Sequence, residues 1–145
     1  MNQYKYLLDT VSITQMTKSQ LKSKFVQYHC LISEEVLYEL RPHASAAYLN
    51  ELNYEVDVDV LRCIKDIFVD VEIDFKILDL YSNRGNGDII LLAIALNERN
   101  KNSEQLFTLT MYKIVTEDKE LRSVAEKLRL ETLSTEDFVS LIKEA

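Results

Sequence analysis

Three acids stand where a carboxylate can do more than keep a surface wet. Asp9 follows the apolar stretch YKYLL (Tyr4–Leu8), Asp118 follows MYKIVTE (Met111–Glu117), and Asp88 stands between Gly-Asn-Gly at 85–87 and the run IILLAIAL (Ile89–Leu96). Carboxylates that converge within a few ångströms repel, and without a counter-charge some of them protonate. A divalent cation removes that conflict, and donors that are all oxygen suit Mg2+ or Mn2+ better than Zn2+. Such a cation activates water for in-line attack on a phosphodiester and neutralises charge on the departing oxygen. Taken singly, each acid is explained as a cap or a turn residue. Three at loop ends that one sheet edge gathers point to a site.

The elements that must position them are legible in the spacing of apolar residues. Tyr4–Leu8 reads as a short strand, Ser12–Phe25 as a polar, exposed helix and Gln27–Ile32 as a second strand. Ser33 is a good N-cap for EEVLYELR, which Pro42 closes, and a further helix is expected over Ala44–Leu52. Val60, Leu61, Ile64, Ile67, Phe68 and Val71 fall on one helical face. Phe75–Leu80 reads as a short strand. After Asp88 the alanines and the glycine-rich entry favour a helix, with Asn97–Thr110 as a long polar connection.

Met111–Val115 is a strand, Leu121, Val124, Ala125 and Leu128 mark a helix, and Leu130–Leu133 is a last short strand. Ser134 with Asp137 opens a final helix that turns Phe138, Leu141 and Ile142 inward. Strands alternating with helices predict an α/β domain with a mostly parallel sheet. In such a sheet functional residues collect beyond the carboxyl ends of the strands, where Asp9 and Asp118 fall. Gly85 and Gly87, the chain's two glycines, let the backbone turn tightly into the helix that carries Asp88.

Composition bounds the rest. A chain of 145 residues with 47% hydrophobic and 28% charged residues is expected to be one globular domain over 1–145. The longest apolar run, Ile89–Leu96, is far short of the roughly 20 residues a membrane span needs. The start MNQYKYLLDT reaches an acid before a signal-peptide core develops, so no membrane association is expected. Cys30 and Cys63 are too few for a zinc cluster or a disulfide framework, which points to a reducing cytoplasm. His29 and His43 read as structural or surface residues.

The net charge of −7 argues at face value against a nucleic-acid partner, but its distribution is uneven. Residues 1–30 carry Lys5, Lys18, Lys22 and Lys24 against Asp9, a balance of +3, whereas residues 51–80 carry nine acids against Arg62, Lys65 and Lys76. Opposite potentials on one small domain make the mean charge a weak guide to partners.

In order along the chain, LLDT (Leu7–Thr10), EVLYEL (Glu35–Leu40), GDIILLAIAL (Gly87–Leu96) and IVTEDKELRSVA (Ile114–Ala125) resemble the PIN-domain ribonucleases. The resemblance spans nearly the whole chain, down to TLSTEDFV. It implies a three-layer α/β/α fold with a short-stranded central sheet, and a quartet of metal-holding catalytic acids at Asp9, Glu39, Asp88 and Asp118. Helix geometry alone leaves Glu34 and Glu39 open, because both flank the apolar face set by Val36, Leu37 and Leu40. The resemblance implies Glu39. It further implies Mg2+ or Mn2+ as cofactor, RNA as substrate, and a homodimer and a small antitoxin protein as partners.

Thr10 and Thr116 adjoin the acids and are placed to donate hydrogen bonds that hold the carboxylates. Arg84, Lys119 and Arg122 are placed to contact RNA, while Lys18, Lys22 and Lys24 read as a solvated helix face. Three departures stand out. Val11 occupies a position where the family often has serine or asparagine, Glu117 adds a charge beside Asp118, and Asp88 and Asp118 are farther apart than usual. Val11 also argues against a haloacid-dehalogenase-like phosphatase, which needs a second acid there. A response-regulator receiver wants paired acids that the sequence lacks, and a non-catalytic PIN-like interaction module is the remaining alternative.

Overall fold

β1 (Gln3–Leu8) lies at the centre of a five-stranded sheet with β2 (Cys30–Ser33), β3 (Asn53–Tyr54), β4 (Thr110–Val115) and β5 (Glu131–Leu133). The structure, a computed structural model, describes residues 3–70, 87–103 and 109–145, apart from the side chains of Asp70 and Asp88. The expected strand Phe75–Leu80, together with Arg84 and Gly85, lies outside the described residues. The strand order is β3-β2-β1-β4-β5, and every neighbouring pair is parallel. β1 and β4 run in register from Gln3 opposite Thr110 to Leu8 opposite Val115.

Parallel strands need crossovers, so helices must cover both faces. One face carries α1 (Thr10–Thr14), α2 (Lys18–Leu21), α3 (Lys24–His29), α4 (Glu34–Glu39), α5 (Ala46–Leu49) and, at the end of the chain, α9 (Thr135–Glu144). The other carries α6 (Val58–Asp70), α7 (Gly87–Asn102) and α8 (Lys119–Lys127). This is the three-layer α/β/α arrangement. Alternation along β1 and β4 feeds both cores: Leu7 and Ile114 meet α6, α7 and α8, while Tyr6, Leu8 and Val115 meet Ile13, Val36, Leu40 and Phe138. α7 is buried on every side from Ile89 to Leu96, as a helix apolar all round must be, and it is enclosed by α6, α8 and the sheet. Among the described residues no helix is long and apolar enough to cross a membrane.

The structure departs from the sequence pattern in four places. Ser12–Phe25 is not one helix, because Thr17 and Gln20 form a reciprocal capping box and Ser23 Oγ accepts from the Val26 N–H, so α2 and α3 each start anew. The expected strand Gln27–Ile32 is therefore helical through His29, and β2 begins only at Cys30. Ala44–Leu52 forms α5 followed by a 3-10 turn over Asn50–Leu52. Asn97 to Asn102, read as the start of a polar connection, are the last turns of α7. Their polar side chains are used by the fold: Arg99 Nη1 donates to Leu128 O at 2.6 Å, and Thr110 N–H donates to Asn102 Oδ1 at 3.4 Å.

α8 closes with a Schellman turn, in which Leu130 N–H reaches Ala125 O at 2.8 Å and Arg129 N–H reaches Glu126 O at 3.0 Å. That turn holds Arg129 at φ 59°, where a β-carbon is crowded and glycine is not. Arg129→Gly is expected to raise the unfolding free energy by up to about 1 kcal/mol, the relief of strain exceeding the entropy glycine adds to the unfolded chain. Urea unfolding of the two proteins checks this, and a less stable glycine variant would refute it.

Candidate active site

The site is built by the way β1 and β4 leave the sheet. Beyond Leu8, Asp9 turns the chain into α1 and caps it, its Oδ1 accepting from the Ser12 N–H at 2.7 Å. Asp9 is buried, and its own N–H still donates to Val115 O of β4 at 3.3 Å. Beyond Val115, Asp118 caps α8, its Oδ1 accepting from Glu120 N–H at 2.9 Å and Leu121 N–H at 3.3 Å. α1 covers one face and α8 the other. The carboxyl ends of β1 and β4 therefore flank the point where the chain's winding reverses, the place where sheets of this kind open a crevice.

Glu39 reaches the same edge from a third element. Ser33 Oγ accepts from the Val36 N–H at 3.3 Å to start α4, and Val36 and Leu40 go into the core, leaving Glu39 exposed at the helix end. There its Oε2 accepts a hydrogen bond from Thr10 Oγ1 at 2.9 Å. Glu34 instead accepts from the Val56 N–H at 3.3 Å and, with Glu35, lines a cleft shared with Ile89 and Ile90 at the start of α7. Thr10 has the donor role expected of it. Thr116, fully buried, supports Asp118 through the backbone rather than the carboxylate, its Oγ1 accepting from the Asp118 N–H at 3.0 Å.

Asp88 is placed by the direction of α7. The far end of that 16-residue helix is tied by Asn102 to Thr110, the first residue of β4. A helix of that length spans about 24 Å, so its first turn, with Asp88, lies at the opposite, carboxyl edge of the sheet. Among the described residues no three His, Cys, Asp or Glu lie together as a metal-holding group, a set to which the Asp88 side chain does not belong.

The cations are less alike than sequence position suggested. Lys119 is exposed beside Asp118. Arg122 is half-buried and donates from Nη2 to Thr116 O at 2.8 Å, so it holds the end of β4 as well as bringing charge to the edge.

Sequence reasoning missed the polar bonds beneath the acids. Ser12, fully buried, donates to Val115 O at 3.3 Å and accepts from Thr135 Oγ1 at 2.9 Å, which joins α1, β4 and α9. Thr135 N–H donates to Glu117 Oε1 at 2.7 Å. The extra charge at position 117 is thus spent on the first turn of α9, where a helix N-terminus favours an anion. The Thr135 N–H holds the Glu117 carboxyl below its ordinary value of 4.5. A carboxyl lowered on folding stabilises the fold above the unfolded value and loses that contribution as pH falls through the folded one. The difference in melting temperature between wild type and Glu117→Gln is therefore expected to shrink as pH drops below about 4.5. A gap that stays constant from pH 7 to pH 3 would contradict it.

Compared with known proteins, the sequence matches no family model and is similar to no curated protein.

Proposed function

We propose that the chain is a PIN-like ribonuclease that hydrolyses phosphodiester bonds of single-stranded RNA, with Mg2+ or Mn2+ held by Asp9, Glu39, Asp88 and Asp118. The observation that carries this reading is the Thr10–Glu39 hydrogen bond at the switch point, which joins a helix-borne glutamate to the neighbour of Asp9. Asp118 stands at the end of the adjoining strand, and the α7 entry lies at the same edge. The donors are all oxygen, as Mg2+ and Mn2+ prefer. A carboxylate has about four acceptor positions, so the cap bond to Oδ1 of Asp9 leaves capacity for a ligand role.

When bound, the cation lowers the pKa of water and neutralises charge on the leaving oxygen. The chain's own residues fix the geometry: caps and the buried Ser12–Thr135 bond hold Asp9 and Asp118, and Arg122 secures β4. Lys119, with Arg84, meets phosphate. In this reading the protein works in the cytoplasm, whose reducing conditions suit the two buried free thiols Cys30 and Cys63, as a homodimer restrained by a small antitoxin.

The alternative, a non-catalytic PIN-like interaction module, draws on one observation: capping alone accounts for Asp9 and Asp118. Incubation with single-stranded RNA separates the two. Cleavage is expected in Mn2+ or Mg2+ and should stop on chelation, whereas intact RNA in both metals would support the module.

A further inference from the structure

At the opposite, amino edge of the sheet a cleft of about 430 Å³ opens between the start of β1 and the end of α3. Its walls are aromatic. Tyr28 is 70% exposed and Tyr4 is 40% exposed, while Phe25 packs against His29 with ring centres 4.9 Å apart and planes inclined at 43°. Exposed tyrosines in a cleft are unusual for a chain that buries most of its large apolar side chains. The rim is cationic. Lys5 lines the cleft and donates to the Tyr28 carbonyl, Lys113 sits 4.5 Å from the Tyr4 ring centre, and Lys24 precedes Tyr28 by one helical turn. Glu131, which pairs with Lys113 at 3.1 Å, is the acid that faces this rim through an ion pair. Of the four lysines in residues 1–30, Lys5 and Lys24 stand beside this aromatic surface, whereas Lys18 and Lys22 lie over the Tyr48 ring.

Aromatic faces interleaved with lysines recognise a ligand that offers a planar base and a phosphate together. We propose that this cleft is a stacking site for an unpaired base of single-stranded RNA, the ligand class resting on the ribonuclease reading above. Tyr28 stacks on the base, and Lys5 and Lys24 meet the flanking phosphates. Asp9 lies five positions beyond Tyr4 along the chain, a rise of about 17 Å, so the base held here belongs to a different nucleotide from the one cut. The cleft contributes affinity for longer strands without touching the reacting bond.

The test is binding of a labelled 12-nucleotide single-stranded RNA to the intact protein with divalent metal chelated, so that no strand is cut. Tyr28→Ala is expected to weaken binding by about 5-fold or more, and Tyr28→Phe, which keeps the ring, to stay within about 2-fold of wild type. Tyr28 is mostly exposed, so equal melting temperatures should confirm that both variants fold. The same sequence as a duplex should bind without dependence on Tyr28. Equal affinity of Tyr28→Ala and wild type for the single strand, or loss of duplex binding in Tyr28→Ala, overturns the proposal. Cleavage in Mn2+ is read separately. Wild-type cleavage with a silent Tyr28→Ala sinks the cleft and leaves the ribonuclease, Tyr28-dependent binding without cleavage does the reverse, and absence of binding sinks the cleft outright.

Discussion

Asparagine at position 9, 88 or 118 is expected to slow RNA cleavage by on the order of 100- to 1,000-fold or more while the protein stays folded. The substitution is informative because two of these aspartates also cap helices. Asparagine caps about as well as aspartate, so Asp9→Asn keeps an oxygen for the Ser12 N–H and Asp118→Asn keeps one for Glu120 and Leu121. What is deleted is the charge. Alanine would remove charge and cap together and cost about 1 kcal/mol of stability, confusing the two roles. Asp88 lies in the first turn of α7, where its loss of charge forfeits only about 0.3–1 kcal/mol with the helix dipole. Glu39→Gln belongs to the same series, since its amide oxygen can still accept from Thr10. Metal-dependent cleavage undiminished in all four variants would mean that these carboxylates serve as caps and nothing else.

The contrast between Asp9 and Glu39 shows how far the sequence carries such a site. Asp9 and Asp118 are legible because each follows a run of apolar residues long enough to mark a strand, and strand ends are where sites of this fold lie. Glu39 is not legible in the same way. Helix spacing leaves it level with Glu34, and the resemblance carried by EVLYEL singles it out; its bond to Thr10, 29 residues away on another element, leaves no local signal. The Ser12–Thr135 bond joins residues 123 apart and leaves no local signal beyond two small hydroxyls.

The same distinction governs the fold. Continuous burial on one face leaves a period, so α6, α8, α9, β1 and β4 are read correctly to within a few residues. Between Thr10 and His29 the chain instead obeys caps a few residues long, and three short helices replace one long one. A helix end stocked with polar residues, as in Asn97–Asn102, mimics a loop until its contacts with Leu128 and Thr110 are known.

Phe138→Ala is expected to cost about 3–5 kcal/mol of stability, the largest effect of any single side chain discussed here. Phe138 has no exposed surface and packs its ring against Tyr6 at 5.2 Å and Phe25 at 5.9 Å between centroids. Truncation removes the transfer energy of the ring and leaves a cavity among β1, α3 and α9 that rigid strands cannot collapse to fill. Domains of this size unfold with about 5–15 kcal/mol, so the loss takes a large fraction of the total, and the melting temperature should fall by roughly 10 °C. The damage should also reach the acids. α9 is the element whose Thr135 grips Ser12 and Glu117, so a loosened α9 slackens the hold on α1 and on the loop carrying Asp118. Phe138→Leu, which refills much of the space, should recover most of the stability and should restore cleavage along with it. Denaturant unfolding of the three proteins, paired with cleavage assays well below each melting point, provides the measurement. An alanine variant within about 1 kcal/mol of wild type would show that α9 does not clamp the sheet in this way.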